Sequence, residues 1–231
     1  MADLIYDADG VACHGYLALP EGDGPFPGVL VTPAFSGLSA MERGHADRLA
    51  GMGYAALGVD YYGGGALAST REEAAALMAV LNGDRPLLAA RMQAALATLK
   101  GLAAVDAARC GAIGFCFGGK AVLDLARAGA DFRAGVSFHG VYDAPEAGSE
   151  EMKAAMLILD GWDDPLDPPA GKVALAEELN AHCADWQFLS FGRTGHAFTN
   201  PNANAPGMGF SESANRRAWD ACARFFGEML G

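Results

Sequence analysis

Short runs of apolar residues recur along the chain and are typical of buried strands. The strand segments predicted from them are Gly28–Val31, Tyr54–Val59, Gly111–Phe115, Gly135–Phe138, Met156–Leu159 and Trp186–Phe191. Runs of this length without polar alternation are expected where both faces of a sheet are covered. The pattern therefore predicts a mostly parallel sheet. A further segment, Val11–Leu19, is predicted to be an antiparallel edge strand.

Longer segments rich in Ala, Leu, Met and Arg lie between these runs and favour helix. The predicted helices are Met41–Met52, Asp84–Leu102, Gly119–Ala128, Pro169–His182 and Ser211–Met229. The last of them carries Trp219, Cys222 and Phe226 on one face, which predicts a helix that docks on the sheet. Strands that alternate with helices indicate an α/β fold with helices on both faces of the sheet. Since no repeat or linker interrupts the pattern, we expect one domain over residues 1–231.

Composition and charge narrow the class of partner. The chain has 16 Lys and Arg residues against 28 Asp and Glu residues, which gives a net charge of -12. This balance provides no basic footprint for nucleic acid and disfavours an anionic membrane surface. The acidic start, MADLIYDADG, lacks a signal core, and no apolar run is long enough to cross a membrane. We expect a soluble cytoplasmic protein, a monomer or small homo-oligomer, with a small molecule as its partner.

The cysteine count argues against a disulfide framework and a zinc site. The chain has five cysteines at wide spacings, and no two of them form a CxxC motif. They are Cys13, Cys110, Cys116, Cys183 and Cys222. Because five is an odd number, at least one thiol is unpaired within the chain. We therefore expect no metal site. An unpaired thiol is free to act as a nucleophile, and the surrounding sequence indicates which one.

The sequence around Cys116 has the pattern of a nucleophile elbow. Gly114-Phe-Cys116-Phe-Gly118-Gly119 follows a predicted strand and precedes a predicted helix, with Cys in place of the usual Ser. Small residues at Gly114 and Gly118 relieve crowding at such a strained turn. The start of the following helix favours the thiolate, which is the nucleophilic form. The alternative is that Cys116 is a small residue of the core, as free cysteines often are.

The same segment also matches a phosphate-binding loop. Gly114 to Lys120 fits G-x-x-x-x-G-K, and the strand ending at Asp160 resembles its magnesium-binding partner. However, Ala121 stands where that motif needs Ser or Thr for Mg²⁺. The bulky aromatic residues inside the loop would also crowd a phosphate. A nucleotide-hydrolysing function is therefore disfavoured.

A cysteine nucleophile needs a base, and the base needs an acid that orients it. His196 follows the last predicted strand, and Asp164 follows the one before it, so the order along the chain is nucleophile, acid, histidine. Loops after parallel strands meet at one edge of the sheet. Among the nearby acids Asp164 is favoured, but the choice is open. Asp160 could cap its strand, and Asp163 and Asp167 are expected to be solvated or turn-forming.

One further histidine could line the same cleft. His139 directly follows a predicted strand, whereas His14, His45 and His182 lack that context.

Together these motifs resemble the dienelactone hydrolase family of the α/β-hydrolase superfamily. The matching fragments, in order, are Pro27–Val31, Ala46–Ala50, Gly53–Tyr54, Asp60–Gly64, Gly114–Gly119, Gly161–Pro165 and Gly195–Phe198. The resemblance implies an α/β-hydrolase fold and an enzyme that cleaves a lactone or carboxylic ester without a cofactor. It implies Cys116 as nucleophile, His196 as base and Asp164 as orienting acid.

The resemblance also implies an oxyanion hole made by the backbone N–H groups of Phe35 and Phe117. Such donors contribute roughly 3–4 kcal/mol each to the transition state. Tyr61, Tyr62 and Phe198 join these two residues as candidate walls of an apolar substrate pocket. Ordinary core packing is the alternative role for at least half of the five aromatic residues.

The sequence departs from the family pattern on the loop after the first central strand. The family usually carries a Glu there that helps control ionisation of the cysteine, whereas this chain has Ala34. Glu42 and Ser36 are candidate substitutes. The candidates for binding a substrate carboxylate are Arg71, Arg85 and Arg193.

Two other classes of function stay open at this point. The departure at Ala34 is compatible with a non-hydrolytic protein that binds a small ligand on the same fold. A redox enzyme using Cys116 would need a resolving cysteine, and Cys110, at the buried start of the strand, is a poor partner.

Overall fold

A mixed eight-stranded sheet lies at the centre of the protein, and the computed structural model describes residues 1–231. Its strands are β1 (Ala2–Ala8), β2 (Val11–Ala18), β3 (Phe26–Thr32), β4 (Ala55–Gly58), β5 (Val105–Phe115), β6 (Ala134–Phe138), β7 (Ala155–Gly161) and β8 (Trp186–Phe191). The helices are α1 (Ala40–Gly51), α2 (Arg71–Gly83), α3 (Arg85–Lys100), α4 (Phe117–Arg127), α5 (Pro169–His182) and α6 (Glu212–Met229). A small separate hairpin pairs β9 (Asn204–Ala205) with β10 (Met208–Gly209).

The strand order is β1-β2-β4-β3-β5-β6-β7-β8. The strands from β4 to β8 run parallel, whereas β1 pairs antiparallel with β2 and β2 pairs antiparallel with β4. The predicted α/β fold with a mostly parallel sheet is therefore confirmed.

The predicted position of Val11–Leu19 at the sheet edge is wrong. That segment forms β2, and the edge strand is β1, which was not predicted. In β1 only Tyr6 and Ala8 are buried, while acidic residues occupy exposed positions. A half-exposed edge strand of this kind produces no continuous apolar run, so the pattern did not reveal it.

Helix α2 was also absent from the sequence prediction. Thr70 caps its first turn, but only Ala74 and Leu81 of the helix are buried. Asp84 ends α2 and caps α3, so two helices follow each other without a strand between them. A prediction built on strict alternation of strands and helices therefore missed the first of the pair.

Two hydrophobic cores cover the two faces of the sheet. Along β7, Met156 and Ile158 face a core shared with α3, α4 and α5, while Leu157 and Leu159 face a core shared with α1 and α6. Each large apolar side chain buried this way contributes about 1.5–3 kcal/mol. The predicted docking of α6 through Trp219 and its neighbours is confirmed. This packing fixes the carboxyl ends of β5 to β8 side by side, and the loops after them carry the candidate residues.

Candidate active site

Cys116 occupies a sharp turn between β5 and α4. Its backbone angles are φ 55° and ψ -116°, a conformation that costs on the order of 1–3 kcal/mol for a residue with a side chain. The N–H of Cys116 donates to the carbonyl of Phe138 on β6, at 3.1 Å, which anchors the turn to the sheet. A Cβ at Gly114 would collide with the carbonyl of Gly118, and one at Gly118 with the carbonyl of Thr32. The glycine pattern is therefore a geometric requirement of this turn.

Cys116 differs from the other four cysteines in exposure. The other four are buried, whereas Cys116 is partly accessible. It precedes the first residue of α4, and no side chain caps that helix. The uncapped helix start places unpaired N–H groups and a positive dipole end beside the sulfur. The alternative of a thiol sealed in the core is therefore wrong.

His196 and Asp164 form a buried hydrogen-bonded pair. His196 Nδ1 lies 2.6 Å from Asp164 Oδ2, and each residue is only 3% exposed. The other carboxylate oxygen, Oδ1, accepts a hydrogen bond from the N–H of Leu166 at 2.8 Å. The carboxylate thus orients the ring and fixes the proton on Nδ1, while Nε2 has no partner within the protein.

The charge state of His196 follows from its neighbours. Burial alone would lower the pKa of this imidazole, but Asp164 and the sulfur of Cys116 outweigh it and raise the pKa to about 10. The sulfur is therefore close enough to act on the ring. The fold brings Cys116 and Asp164 next to His196, and both neighbours favour the protonated form of the imidazole.

Two of the three acids near Asp164 form buried ion pairs. Asp163 is exposed, as expected, but Asp167 is buried and lies 3.1 Å from Lys172 Nζ. The same nitrogen lies 3.0 Å from Asp160 Oδ2, and burial raises the pKa of Asp160 to about 6. Of the two roles expected for Asp167, solvated or turn-forming, the solvated one is wrong, because α5 turns Lys172 inward between the two ends of this loop.

Two tyrosines hold the loop that follows β3. The hydroxyl of Tyr61 donates to the carbonyls of Pro33 and Ala34, at 2.8 and 2.9 Å. The hydroxyl of Tyr62 donates to the carbonyl of Phe35, at 2.7 Å. These bonds point three successive carbonyls towards the tyrosines and away from the opposite side of the loop.

Two backbone N–H groups remain without acceptors beside this loop and the elbow. The N–H of Phe35 donates to no group of the protein. The N–H of Phe117 belongs to the first residue of α4, which has no acceptor inside its own helix. Their assignment as an oxyanion hole stays a prediction.

Glu42 lies behind the same loop and is fully buried. It accepts hydrogen bonds from the N–H of Ser39 at 3.0 Å, from the Ser39 hydroxyl and from the N–H of Ala34 at 3.4 Å. No hydrogen bond joins it to Cys116. Glu42 therefore closes the cap of α1 and supports the loop, and Ser36, the other candidate substitute, uses its carbonyl to accept from the N–H of Ala68 at 2.9 Å.

Burial corrects part of the predicted pocket wall. Tyr61 is 1% exposed and Phe198 0%, so neither presents surface to an open pocket. Tyr61 instead packs edge-on against Tyr62 and Phe117, with ring centroids 4.6 and 5.6 Å apart. Phe35 and Tyr62 remain partly exposed. The buried rings support the loops from behind, as packing against the sheet requires.

Of the three arginines that could bind a substrate carboxylate, one is committed to other partners. Arg85 pairs with Asp124 at 2.5 Å and with Asp143 at 2.8 Å, which removes it as a free carboxylate ligand. Lys120 pairs with Asp143 at 2.6 Å, so the lysine of the phosphate-loop motif is also occupied. Arg71 and Arg193 are exposed.

The hairpin of β9 and β10 holds His196 in place and was missed from the sequence. The N–H of His196 donates to the carbonyl of Gly207 at 2.9 Å, and its carbonyl accepts from the N–H of Gly209 at 3.1 Å. Strands of two residues carry no periodic signal, so only the cluster of Pro, Asn and Gly residues between Asn200 and Gly209 hinted at a turn.

No group of three or more His, Cys, Asp or Glu side chains is arranged to hold a metal ion. None of the helices combines the length and apolar character needed to cross a membrane. A cleft of about 560 Å³ lies beside β1 and β2, and none of the three candidate residues lines it.

Comparison with known proteins gives consistent matches. Residues 13–230 match the model of the dienelactone hydrolase family. A crystal structure of a dienelactone hydrolase-like promiscuous phosphotriesterase from metagenomic libraries is 34% identical, with a TM-score of 0.95 over 100% of this chain and 98% of that one. A structure named m3DLH is 36% identical, with a TM-score of 0.94 and the same coverage.

A curated relative, an uncharacterized protein of Caenorhabditis elegans, is 38% identical over 104 residues. The match covers 42% of this chain and 65% of that protein, which is less than two thirds of its length.

Proposed function

The chain belongs to the dienelactone hydrolase family, and we propose that it hydrolyses a lactone or carboxylic ester through Cys116, His196 and Asp164. The observation that carries this proposal is the 2.6 Å bond from His196 Nδ1 to Asp164, which leaves Nε2 unpaired and the ring within range of the Cys116 sulfur. This is the arrangement of nucleophile, base and orienting acid that acyl transfer needs.

In the first half of the proposed reaction the thiolate of Cys116 attacks the substrate carbonyl carbon. The C–O bond to the leaving alkoxide then breaks, and the protonated Nε2 of His196 donates its proton to that oxygen. The product is a thioester on Cys116 and a neutral imidazole. General acid catalysis of this kind contributes roughly 10²–10⁴-fold to the rate.

In the second half a water molecule attacks the thioester carbonyl. Nε2 of His196 takes a proton from the water, the C–S bond breaks, and the thiolate returns. Once the sulfur is acylated it no longer carries the charge that helps to raise the pKa of His196. The loss of that charge lowers the pKa of the imidazole, so Nε2 stays unprotonated after the first half and can accept the proton of the water.

The negative charge that develops on the carbonyl oxygen in both halves needs stabilisation. We assign this role to the N–H groups of Phe35 and Phe117, on the loop after β3 and at the start of α4. The loop is supported by the tyrosine hydroxyls that hold the carbonyls of Ala34 and Phe35. Donors fixed before the reaction need no reorganisation while it proceeds.

A second candidate substrate is a phosphotriester. The observation that favours it is the 34% identity, over the full chain, to a dienelactone hydrolase-like promiscuous phosphotriesterase. In that case the thiolate would attack phosphorus, and the same imidazole would protonate the departing alkoxide or phenoxide. Assays with paraoxon and with p-nitrophenyl acetate on the same preparation would rank the two substrates.

The direct test compares Cys116→Ala, Asp164→Asn and Asp163→Asn for hydrolysis of p-nitrophenyl acetate. We expect Cys116→Ala to reduce the rate at least 10³-fold, since the nucleophile is lost. Asp164→Asn should reduce it strongly, because the ring loses its orienting partner. Asp163→Asn, at the exposed neighbour, is the matched control and should behave as the unmodified protein.

Two results would redirect the assignment. Wild-type turnover by Cys116→Ala would show that another residue is the nucleophile. No turnover by the unmodified protein on a panel of lactones and short-chain esters, together with slow iodoacetamide labelling at pH 6, would favour the non-hydrolytic ligand-binding alternative. Consumption of peroxide would favour the redox alternative.

A further inference from the structure

His139 is a second buried histidine beside the proposed base. It follows β6 directly, is 2% exposed, and has a positive φ of 39°. Its ring meets that of His196 edge-on, with centroids 5.0 Å apart and planes at 69°. The backbone N–H of His139 donates to the carbonyl of Leu159 on β7, at 2.7 Å. Unusual backbone conformations that persist in this way concentrate at functional sites.

The only hydrogen bond from the His139 ring to another residue goes to the segment that carries His196. His139 Nε2 lies 2.8 Å from the hydroxyl of Thr199, three residues after His196. Thr199 is itself 5% exposed, so the bond is shielded from water. His139 Nδ1 has no partner outside its own residue.

The segment from His196 to Thr199 is thus held from two sides. On one side the hairpin binds the backbone of His196 through Gly207 and Gly209. On the other side His139 binds the hydroxyl of Thr199. Between these attachments Ala197 has a positive φ of 56°, a conformation that needs external support.

We propose that His139 and Thr199 are positioning residues for His196: their hydrogen bond fixes the segment that carries the base, and the neutral His139 ring limits the orientations of the imidazole. The proposal rests on the function proposed above. Neither residue forms a hydrogen bond with Cys116 or with Nε2 of His196, so both act by positioning His196.

The charge of His139 is compatible with this role. Burial, together with His196 and, to a smaller extent, His45, lowers the pKa of His139 well below its usual range. The charged and titratable groups that act on the ring are therefore His196 from the loop after β8 and His45 from α1. The positive charge stays on His196, and His139 packs against it as a neutral ring.

The test is a double-mutant cycle with a conservative control. Thr199→Val removes the hydroxyl at nearly constant shape, while Thr199→Ser keeps it. His139→Asn removes the ring but keeps a residue that tolerates positive φ. The readouts are kcat, KM and the pH profile of kcat/KM with p-nitrophenyl acetate, together with the melting temperature of each variant.

We expect Thr199→Val to lower kcat about tenfold, or about 1.4 kcal/mol, with KM unchanged, and His139→Asn to lower it at least as much. Thr199→Ser should stay within twofold of the unmodified protein. The double variant should be no slower than His139→Asn alone, because both changes remove the same bond. The alkaline limb of the pH profile should move to lower pH in Thr199→Val. A less restrained imidazole is held less firmly against Asp164, which raises the pKa of His196.

Unchanged kcat in Thr199→Val, equal losses in Thr199→Val and Thr199→Ser, or additive losses in the double variant would overturn the proposal. So would losses explained by a lower folded fraction. These outcomes are distinguishable from failure of the proposed function itself, because that failure would appear as full activity of Cys116→Ala or as no turnover by the unmodified protein.

Discussion

The protonation of His196, which lies next to Asp164 and Cys116, is the central feature at the scale of single residues. Asp164 fixes the proton on Nδ1 of the ring, and the sulfur favours a second proton on Nε2. The expected resting state of His196 is therefore an imidazolium, because Asp164 and the sulfur of Cys116 both favour its charge. The pKa values of His45 and His139 move the opposite way, because desolvation acts on these rings without a carboxylate partner.

The pH dependence of the proposed reaction follows from the raised pKa of His196. The imidazolium is present below about pH 10 and is lost as the pH rises through that value, so kcat/KM should fall there. Asp164→Asn removes one cause of the raised pKa of His196 and should therefore move the alkaline limb of the kcat/KM profile to lower pH. Rates with p-nitrophenyl acetate, corrected at each pH for uncatalysed hydrolysis, provide the measurement.

Asp163→Asn serves as the control for that experiment and should leave the limb in place. A limb near pH 7 in the unmodified protein would contradict the assignment of the charged pair.

At the scale of elements, the loop after β7 is held at both ends by one lysine of α5. Lys172 Nζ binds Asp160 at the end of the strand and Asp167 near the start of the helix, with Asp164 between them. All four side chains are buried. The position of the proposed orienting acid therefore depends on a buried cation that is several residues away from it.

Lys172→Met should lower the free energy of unfolding by about 3–5 kcal/mol, because two buried carboxylates lose their partner. The loss should be larger at pH 8 than at pH 5, since Asp160, with its raised pKa, takes up a proton at the lower pH and becomes neutral. Urea unfolding at the two pH values measures both effects.

Arg216→Met is the matched control, because it breaks the exposed ion pair with Asp220 and should change stability by less than about 1 kcal/mol. A similar small loss in Lys172→Met would show that the loop does not depend on this lysine.

Buried parallel strands and the elbow at Cys116 were predictable because each has a strong local signal, an apolar run or a glycine pattern. The edge strand β1, the helix α2 and the β9–β10 hairpin lack such a signal. The partners of Lys172 and Thr199 could not be predicted, because those contacts join residues that only the folded chain brings together.

The role of buried aromatic residues was equally hard to predict. Tyr61 and Phe198 have the chemistry of pocket walls, but their position behind the loops follows from packing against the sheet. The sequence places an aromatic residue near a site without showing which side of the loop it occupies.

At the scale of the whole molecule, buried neutral histidines make stability sensitive to acid. Burial lowers the pKa of His45 to about 4, and its ring stacks on Phe115 with centroids 4.4 Å apart. The unfolded chain takes up a proton at this residue below its ordinary pKa near 6.5, whereas the folded chain does so only near pH 4. Stability from this group is therefore lost as the pH falls between those values.

His45→Phe should reduce this loss, by up to about 3 kcal/mol between pH 7 and pH 4, since it keeps the stacked ring and removes the titration. Urea unfolding across this pH range, compared with the unmodified protein, isolates the contribution. His14→Gln, at an exposed histidine, is the control and should follow the unmodified protein. Parallel curves for His45→Phe and the unmodified protein would contradict the prediction.

Organisation as a single domain, location in the cytoplasm and assembly as a monomer or small homo-oligomer stay predictions from the sequence. The confirmed part at this scale is the α/β sheet and the family to which the chain belongs.

The attachment of His196 to the hairpin has a consequence for protein synthesis. Gly207 and Gly209 bind the backbone of His196, and the N–H of Ser211 binds the carbonyl of Phe198. The position of His196 is therefore fixed only after those residues have been synthesised. A nascent chain on the ribosome exposes Cys116 long before its imidazole partner can dock. The thiol therefore acquires its proposed reactivity only after the chain as far as Ser211 has left the exit tunnel.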